Sequence, residues 1–186
     1  MRGMGFRGAP PDPLAALVKT ELAEKGPERH TCRRLEAAAR TFTMTQRRHR
    51  DMNTTWTTEH WLKDVDDLEA FLALPAGEHG GEPDVAPVLE AEQALGDAGI
   101  AMFSIADPLC QAAEYFSMED YTIIAMTERA LFKRLLDRCA ARILPQVEAF
   151  AKALPGRLWR ICGPEYAPPP YLPPELFREY VTVYDT

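Results

Sequence analysis

Asp107, Glu165 and Tyr166 are the side chains of this sequence set where a repeating strand and helix protein gathers its chemistry. Asp107 follows the apolar run of residues 100–105, and Glu165 and Tyr166 follow the run of residues 157–162. Side chains at the ends of parallel strands converge on a common mouth, so two carboxyls and a phenol there suit substrate binding. Each also has a plainer role. Asp107, directly before Pro108, fits contact with substrate or metal at the mouth, and equally fits the cap of a following helix. Glu165 and Tyr166 fit a pocket lining, and equally fit a Pro-rich loop holding its own backbone.

Other groups able to do chemistry are weaker candidates. Cys110 and Cys162 lie near the same strand ends, where a ligand or nucleophile competes with the usual role of a buried thiol as a small hydrophobe. His30-Thr-Cys32 has a short metal-ligand spacing, but it sits in a charged stretch and is expected to be a chance match. His60, beside Trp56 and Trp61, reads as a packing and hydrogen-bonding residue ahead of a general base. Arg47-Arg48-His49-Arg50 suits a phosphate, yet no aromatic platform accompanies it, so a solvated hairpin tip is expected and no nucleic-acid partner.

Composition narrows the class. The chain has 186 residues, 46% of them hydrophobic and 26% charged, enough for a globular core. No run reaches the about eighteen apolar residues of a membrane span, and residues 1–7 lack the apolar stretch of a signal peptide. No membrane partner and a cytoplasmic location are the expectations. The four cysteines are widely spaced, which favours reduced thiols over a disulfide framework. The net charge of −7 is unevenly distributed. Residues 1–50 carry eleven Lys and Arg against five Asp and Glu, and residues 51–100 carry one against twelve.

The elements that must position the candidates follow from periodicity. Residues 1–12 are rich in Gly and Pro and read as loose, and residues 13–22 are compatible with a short helix. Residues 40–48 alternate Phe42, Met44 and Gln46 against threonines, and the Thr-rich residues 53–60 lie beyond a polar turn, which predicts an antiparallel hairpin. Val65, Leu68, Phe71 and Leu72 predict a helix, and a second is predicted over residues 87–95, ending at Gly96 or Gly99. Residues 100–105 read as a strand buried on both faces of a parallel sheet. From Thr127, Phe132, Leu136, Cys139, Ile143, Val147 and Phe150 stack on one helix face, with Pro145 kinking that helix or opening another. A strand over residues 157–162 and a helix carrying Leu176, Phe177, Tyr180, Val181 and Tyr184 complete the order.

Four blocks in this order resemble one family. Thr57-Thr-Glu-His-Trp-Leu-Lys-Asp-Val-Asp-Asp-Leu-Glu-Ala-Phe-Leu72, Ser104-Ile-Ala-Asp-Pro108, Trp159-Arg-Ile-Cys-Gly-Pro-Glu-Tyr166 and Tyr171-Leu-Pro-Pro-Glu-Leu-Phe-Arg-Glu-Tyr180 look like the uroporphyrinogen decarboxylase-like family, nearer its corrinoid-methyltransferase-related branch. The resemblance runs from about residue 40 onward and implies a (β/α)8 TIM barrel. Since that fold takes ~250 residues, the chain is expected to be an internal segment of a larger parent. The expected organisation is a loose N-terminal segment with a short helix over residues 1–39, and over residues 40–186 a partial (β/α)8 barrel carrying an antiparallel hairpin excursion. Such an open section is expected to associate or aggregate by itself, as a homo-oligomer or otherwise.

What the resemblance implies about function concerns the parent. Haem-pathway members are lyases that decarboxylate a tetrapyrrole, uroporphyrinogen, with neither metal nor cofactor. A carboxylate beside the ring stabilises the protonated pyrrole, and arginines hold the substrate's carboxylates. Relatives transfer a methyl group from a corrinoid protein to a thiol activated by zinc. Tyr115 is the nearest match to the family's active-site tyrosine, with Asp107, Glu165 and Tyr166 as substrate-binding candidates. The decarboxylases' arginine-rich loop has no counterpart in residues 1–12, and their catalytic aspartate belongs on an earlier strand. No cofactor is expected in this segment, and a zinc-binding His-x-Cys would lie past Thr186. A non-catalytic truncated fragment is the remaining alternative.

Overall fold

A computed structural model of the chain describes residues 5–8, 13–37, 40–77 and 81–186. The chain divides into two compact units. One contains residues 1–11, 78–112 and 135–186, and the other residues 12–77 and 113–134. The architecture is mixed α/β, and no closed barrel is formed among the described residues.

The second of these units is built on a four-stranded antiparallel meander of β2 (Val18–Lys25), β3 (Glu28–Ala37), β4 (Arg40–His49) and β5 (Thr55–Glu59). The predicted hairpin is its β4–β5 half. The helix expected over residues 13–22 is a correction: only a 3-10 turn forms at Ala15–Leu17, and β2 begins at the next residue. Its apolar residues Leu14, Leu17, Val18 and Leu22 satisfy helical spacing, but short runs are ambiguous between the two periods. Pairing decides the matter, because β2 runs beside β3 from Val18↔Leu35 to Lys25↔Glu28. Gly26, at φ +62°, makes the intervening two-residue turn possible. Of residues 1–12, Gly5–Arg7 form β1, while residues 1–4 and 9–12 of the expected loose segment lie outside the described residues.

Leu35, Phe42 and Met44 bury one face of the meander, and Phe42 meets Phe71 edge to face with ring centroids 6.3 Å apart. Phe71 belongs to α1 (Val65–Leu72), whose first turn is closed by the Asp64 carboxylate accepting from the Asp67 N–H at 2.7 Å. Asp67 is itself buried. Its carboxylate accepts from Arg40 Nε at 2.7 Å and from the Lys63 N–H at 3.0 Å, which ties the start of β4 to the start of α1. In the same unit α4 (Met118–Thr127) is capped by Ser117, and Tyr121 packs on Phe132.

The other unit holds α2 (Ala86–Leu95), ended by Gly96 as predicted, and a parallel pair, β7 (Met102–Ala106) and β8 (Leu158–Cys162). Between these strands the chain forms α3 (Pro108–Glu114), α4 and α5 (Arg129–Ala153), which runs through Pro145 without ending. Phe103, Phe150, Val88 and Leu154 form the core here, with Trp159 stacked on Phe103 at 4.7 Å. Phe6 of β1, which pairs antiparallel with β6 (Glu82–Asp84), packs on Phe150. The run at residues 100–105 is not buried on both faces: Ile100 is 81% exposed, and β7 pairs only with β8 among the described residues. After β8 come a 3-10 turn at Pro164–Tyr166 and α6 (Pro174–Phe177), continued by a π-helical turn through Thr182. No disulfide joins the four cysteines, and no helix among the described residues is long and apolar enough to cross a membrane.

Arg40→Ala leaves the Asp67 carboxylate buried without its cation. Since the Arg40 side chain is 35% exposed, water screens part of the loss, and the unfolding free energy should fall by about 1–3 kcal/mol. Urea titration of the variant beside the parent checks this.

Candidate functional site

The carboxyl of Asp107 is the centre of the site. Parallel pairing sets Ala106 against Cys162, and the Asp107 N–H donates to the Cys162 carbonyl at 2.8 Å, which carries the ladder one step past β7. Asp107 then begins α3: its Oδ1 accepts from the Cys110 N–H at 2.6 Å, and its carbonyl from the Gln111 N–H at 3.2 Å. The capping role is therefore real, but it uses only one carboxyl oxygen. Oδ2 is buried with no hydrogen-bond partner, in a residue 3% exposed.

An acid held this way resists ionisation. Burial pushes the Asp107 pKa up to about 6, the nearby Asp185 and Glu165 carboxylates push in the same direction, and the Cys110 and Leu109 N–H groups oppose them. At neutral pH a measurable fraction stays protonated, which an ordinary aspartate does not.

Gly163 makes this burial possible. It has φ +146°, a conformation side chains rarely adopt, and a Cβ added there would lie 1.8 Å from Asp107 Oδ1 and 2.2 Å from its Cγ. The Asp107 carboxyl thus occupies the space that any other residue at position 163 would fill.

Glu165 holds the loop after β8. Its Oε2 accepts from the Gly163 N–H at 2.7 Å, and hydrogen bonds from its own and the Gly163 N–H hold its pKa below the ordinary value. Exposed and charged, it also acts electrostatically on Asp107. The Tyr166 N–H donates to the Gly163 carbonyl at 2.9 Å, and its side chain is half-buried. Asp107, Glu165 and Tyr166 therefore belong to one unit and to the same two strand ends. Tyr115 belongs to the other unit, in the turn after α3, where its ring lies against Phe71 at 4.9 Å and its carbonyl accepts from the Leu62 N–H at 2.9 Å.

Sequence reasoning did not single out Asp185, Ser104 or Arg160. Asp185 acts electrostatically on Asp107 only through the fold and leaves no local signal. Arg160 was legible in part, because it stands two residues from Cys162 on a predicted strand and so shares its face. His30 and Cys32 lie on β3, with His30 Nε2 3.3 Å from Glu28 Oε2. Among the described residues no group of three or more His, Cys, Asp or Glu side chains is placed to hold a metal ion. His60 is half-buried, and burial holds its pKa below the ordinary value. No protein-family model, curated protein or solved structure matches the chain.

Two measurements follow from the geometry. The folded pKa of Asp107 lies above its ordinary 3.8, so its contribution to stability is complete below that pH and is lost as pH rises through about 6. The loss should be on the order of 3 kcal/mol between pH 4 and pH 7. Asp107→Asn, which keeps the capping oxygen, should flatten that part of a stability profile measured by urea titration. Gly163→Ala should cost about 2–4 kcal/mol through overlap and backbone strain. In a double-mutant cycle, Asp107→Ala combined with Gly163→Ala should be less destabilised than the two single effects added together, because the overlap is then gone.

Proposed function

We propose that this chain is a section of a uroporphyrinogen decarboxylase-like barrel enzyme acting on a carboxylated tetrapyrrole. The observation that carries this reading is the Asp107 carboxyl: buried, with one oxygen uncommitted, and pushed up to about 6 at the end of a parallel strand. Removal of carbon dioxide from an acetate arm needs a proton on the neighbouring pyrrole carbon and a negative group beside the cation that results. An acid with a pKa near 6 is present in both forms at neutral pH, so as a substrate-binding group beside the catalytic aspartate of an earlier strand it can support either need. Gly163 covers the carboxyl, so substrate must displace the 163–166 turn to reach Oδ2.

The partial-barrel reading draws support from the parallel pair. A two-stranded parallel sheet is seldom stable alone, and β7–β8 leaves Leu158 54% and Ile161 49% exposed beside Ile100. Further strands on both edges would pair with β7 and β8 and extend the sheet toward a (β/α) barrel.

The test is to express the whole reading frame that encodes this chain and to assay it with uroporphyrinogen, following loss of carboxylate arms by chromatography of the oxidised porphyrins. Conversion that slows at least ~100-fold in Asp107→Asn is the expected result. No conversion by the intact frame removes the decarboxylase reading. Conversion unchanged in Asp107→Asn removes Asp107 from it.

A further inference from the structure

The opposite face of the β7–β8 pair carries a second cluster. Arg160 and Cys162 stand two residues apart on β8 and so point to one side, and the register sets Ser104 of β7 against Arg160. Arg160 Nε lies 3.1 Å and Nη2 3.0 Å from Cys162 Sγ, and Ser104 Oγ lies 3.6 Å from the same sulfur. The guanidinium therefore presents the fork it ordinarily offers a carboxylate to a sulfur atom instead. A neutral thiol is a poor acceptor for two such donors, and a thiolate is a good one.

We propose that Ser104, Arg160 and Cys162 form a nucleophilic thiol site whose sulfur is oxidised by hydroperoxides. The cluster is half-buried at Cys162 and Ser104 and exposed at Arg160, so a small electrophile reaches it from solvent. Hydrogen bonds from Ser104 and Arg160 and the Arg160 charge hold the thiol below its ordinary pKa, against burial and the Glu165 carboxylate. The other cysteines lack this setting. Cys110 and Cys139 are buried, and burial pushes Cys139 up to about 12, while Cys32 is half-buried on β3.

The chemistry balances without a resident cofactor. The thiolate attacks the outer oxygen of the hydroperoxide, a sulfur–oxygen bond forms, and the oxygen–oxygen bond breaks. Sulfur is oxidised by two electrons to a sulfenic acid, and the hydroperoxide leaves as an alkoxide or hydroxide that takes a proton from water. This site requires neither Asp107 nor a tetrapyrrole, so it stands or falls apart from the proposed function.

The experiment measures alkylation of each cysteine of the full chain by iodoacetamide at pH 7, using mass spectrometry, with dimedone capture after brief exposure to hydrogen peroxide. Cys162 should label roughly tenfold or more faster than Cys32, and Arg160→Gln should slow Cys162 by about five- to tenfold without changing Cys32. Arg160→Lys should recover part of the rate, and dimedone should be found on Cys162. Protection of Cys110 and Cys139 in every variant shows that the fold is intact. Labelling of Cys162 no faster than Cys32, or unaffected by Arg160→Gln, overturns the site. Fast alkylation without dimedone capture overturns the hydroperoxide assignment.

Discussion

The contact between the Asp107 carboxyl and the bare Cα of Gly163 is the constraint around which the two strand ends are arranged. One side chain fills the volume that another would need, so the two positions define each other. From that contact follow the burial of the carboxyl, its raised pKa and the tight start of α3 directly behind β7. Glu165 reinforces it by turning back onto the Gly163 N–H, which fixes the loop and keeps a negative charge within reach of Asp107. A capping aspartate at a helix start normally sits in water and ionises freely. Here the cap is enclosed, and enclosure converts an ordinary structural acid into one that titrates near neutrality.

The same pair of strands separates two kinds of chemistry by the alternation of the β backbone. On one side Phe103 and Trp159 stack in the core, and Asp107 follows at the strand end. On the other, Ser104, Arg160 and Cys162 come together in a polar, accessible cluster. A one-residue shift in pairing would exchange these sets, because successive side chains alternate faces. The Asp107 N–H bond to the Cys162 carbonyl extends the ladder beyond the strand and makes such a shift costly. Register is thus what keeps a proton-holding acid apart from an activated thiol.

The other unit reaches its order by different means. Its meander buries Leu35, Phe42 and Met44 on one face and carries charged and Thr residues elsewhere, and α1 is tied to β4 through Arg40 and Asp67. The marked division of charge along the sequence is partly resolved in these pairs. Arg40, from the basic stretch, meets Asp64, Asp66 and Asp67 from the acidic one.

Much of this was legible in the sequence where the signal is local. The β4–β5 hairpin, α1, the bounds of α2, the two strands of the parallel pair and the long helix through Ile143 and Phe150 follow from side-chain periodicity, which each segment carries within itself. The capping potential of Asp107 and the loop-holding potential of Glu165 were likewise visible, as one of two roles each. Tertiary structure decided the rest. Residues 18–25 became a strand because β3 was there to pair with them, and α3 and α4 formed in a stretch with weak amphipathic patterning. The need for glycine at position 163 beside Asp107 and the meeting of Ser104 with Cys162 depend on atoms distant in the chain being held within a few ångströms, and the effect of Asp185 on Asp107 likewise arises only in the fold. Periodicity records which face a residue prefers. Only packing determines which distant groups share that face, and desolvation and hydrogen bonding between those groups set the chemistry.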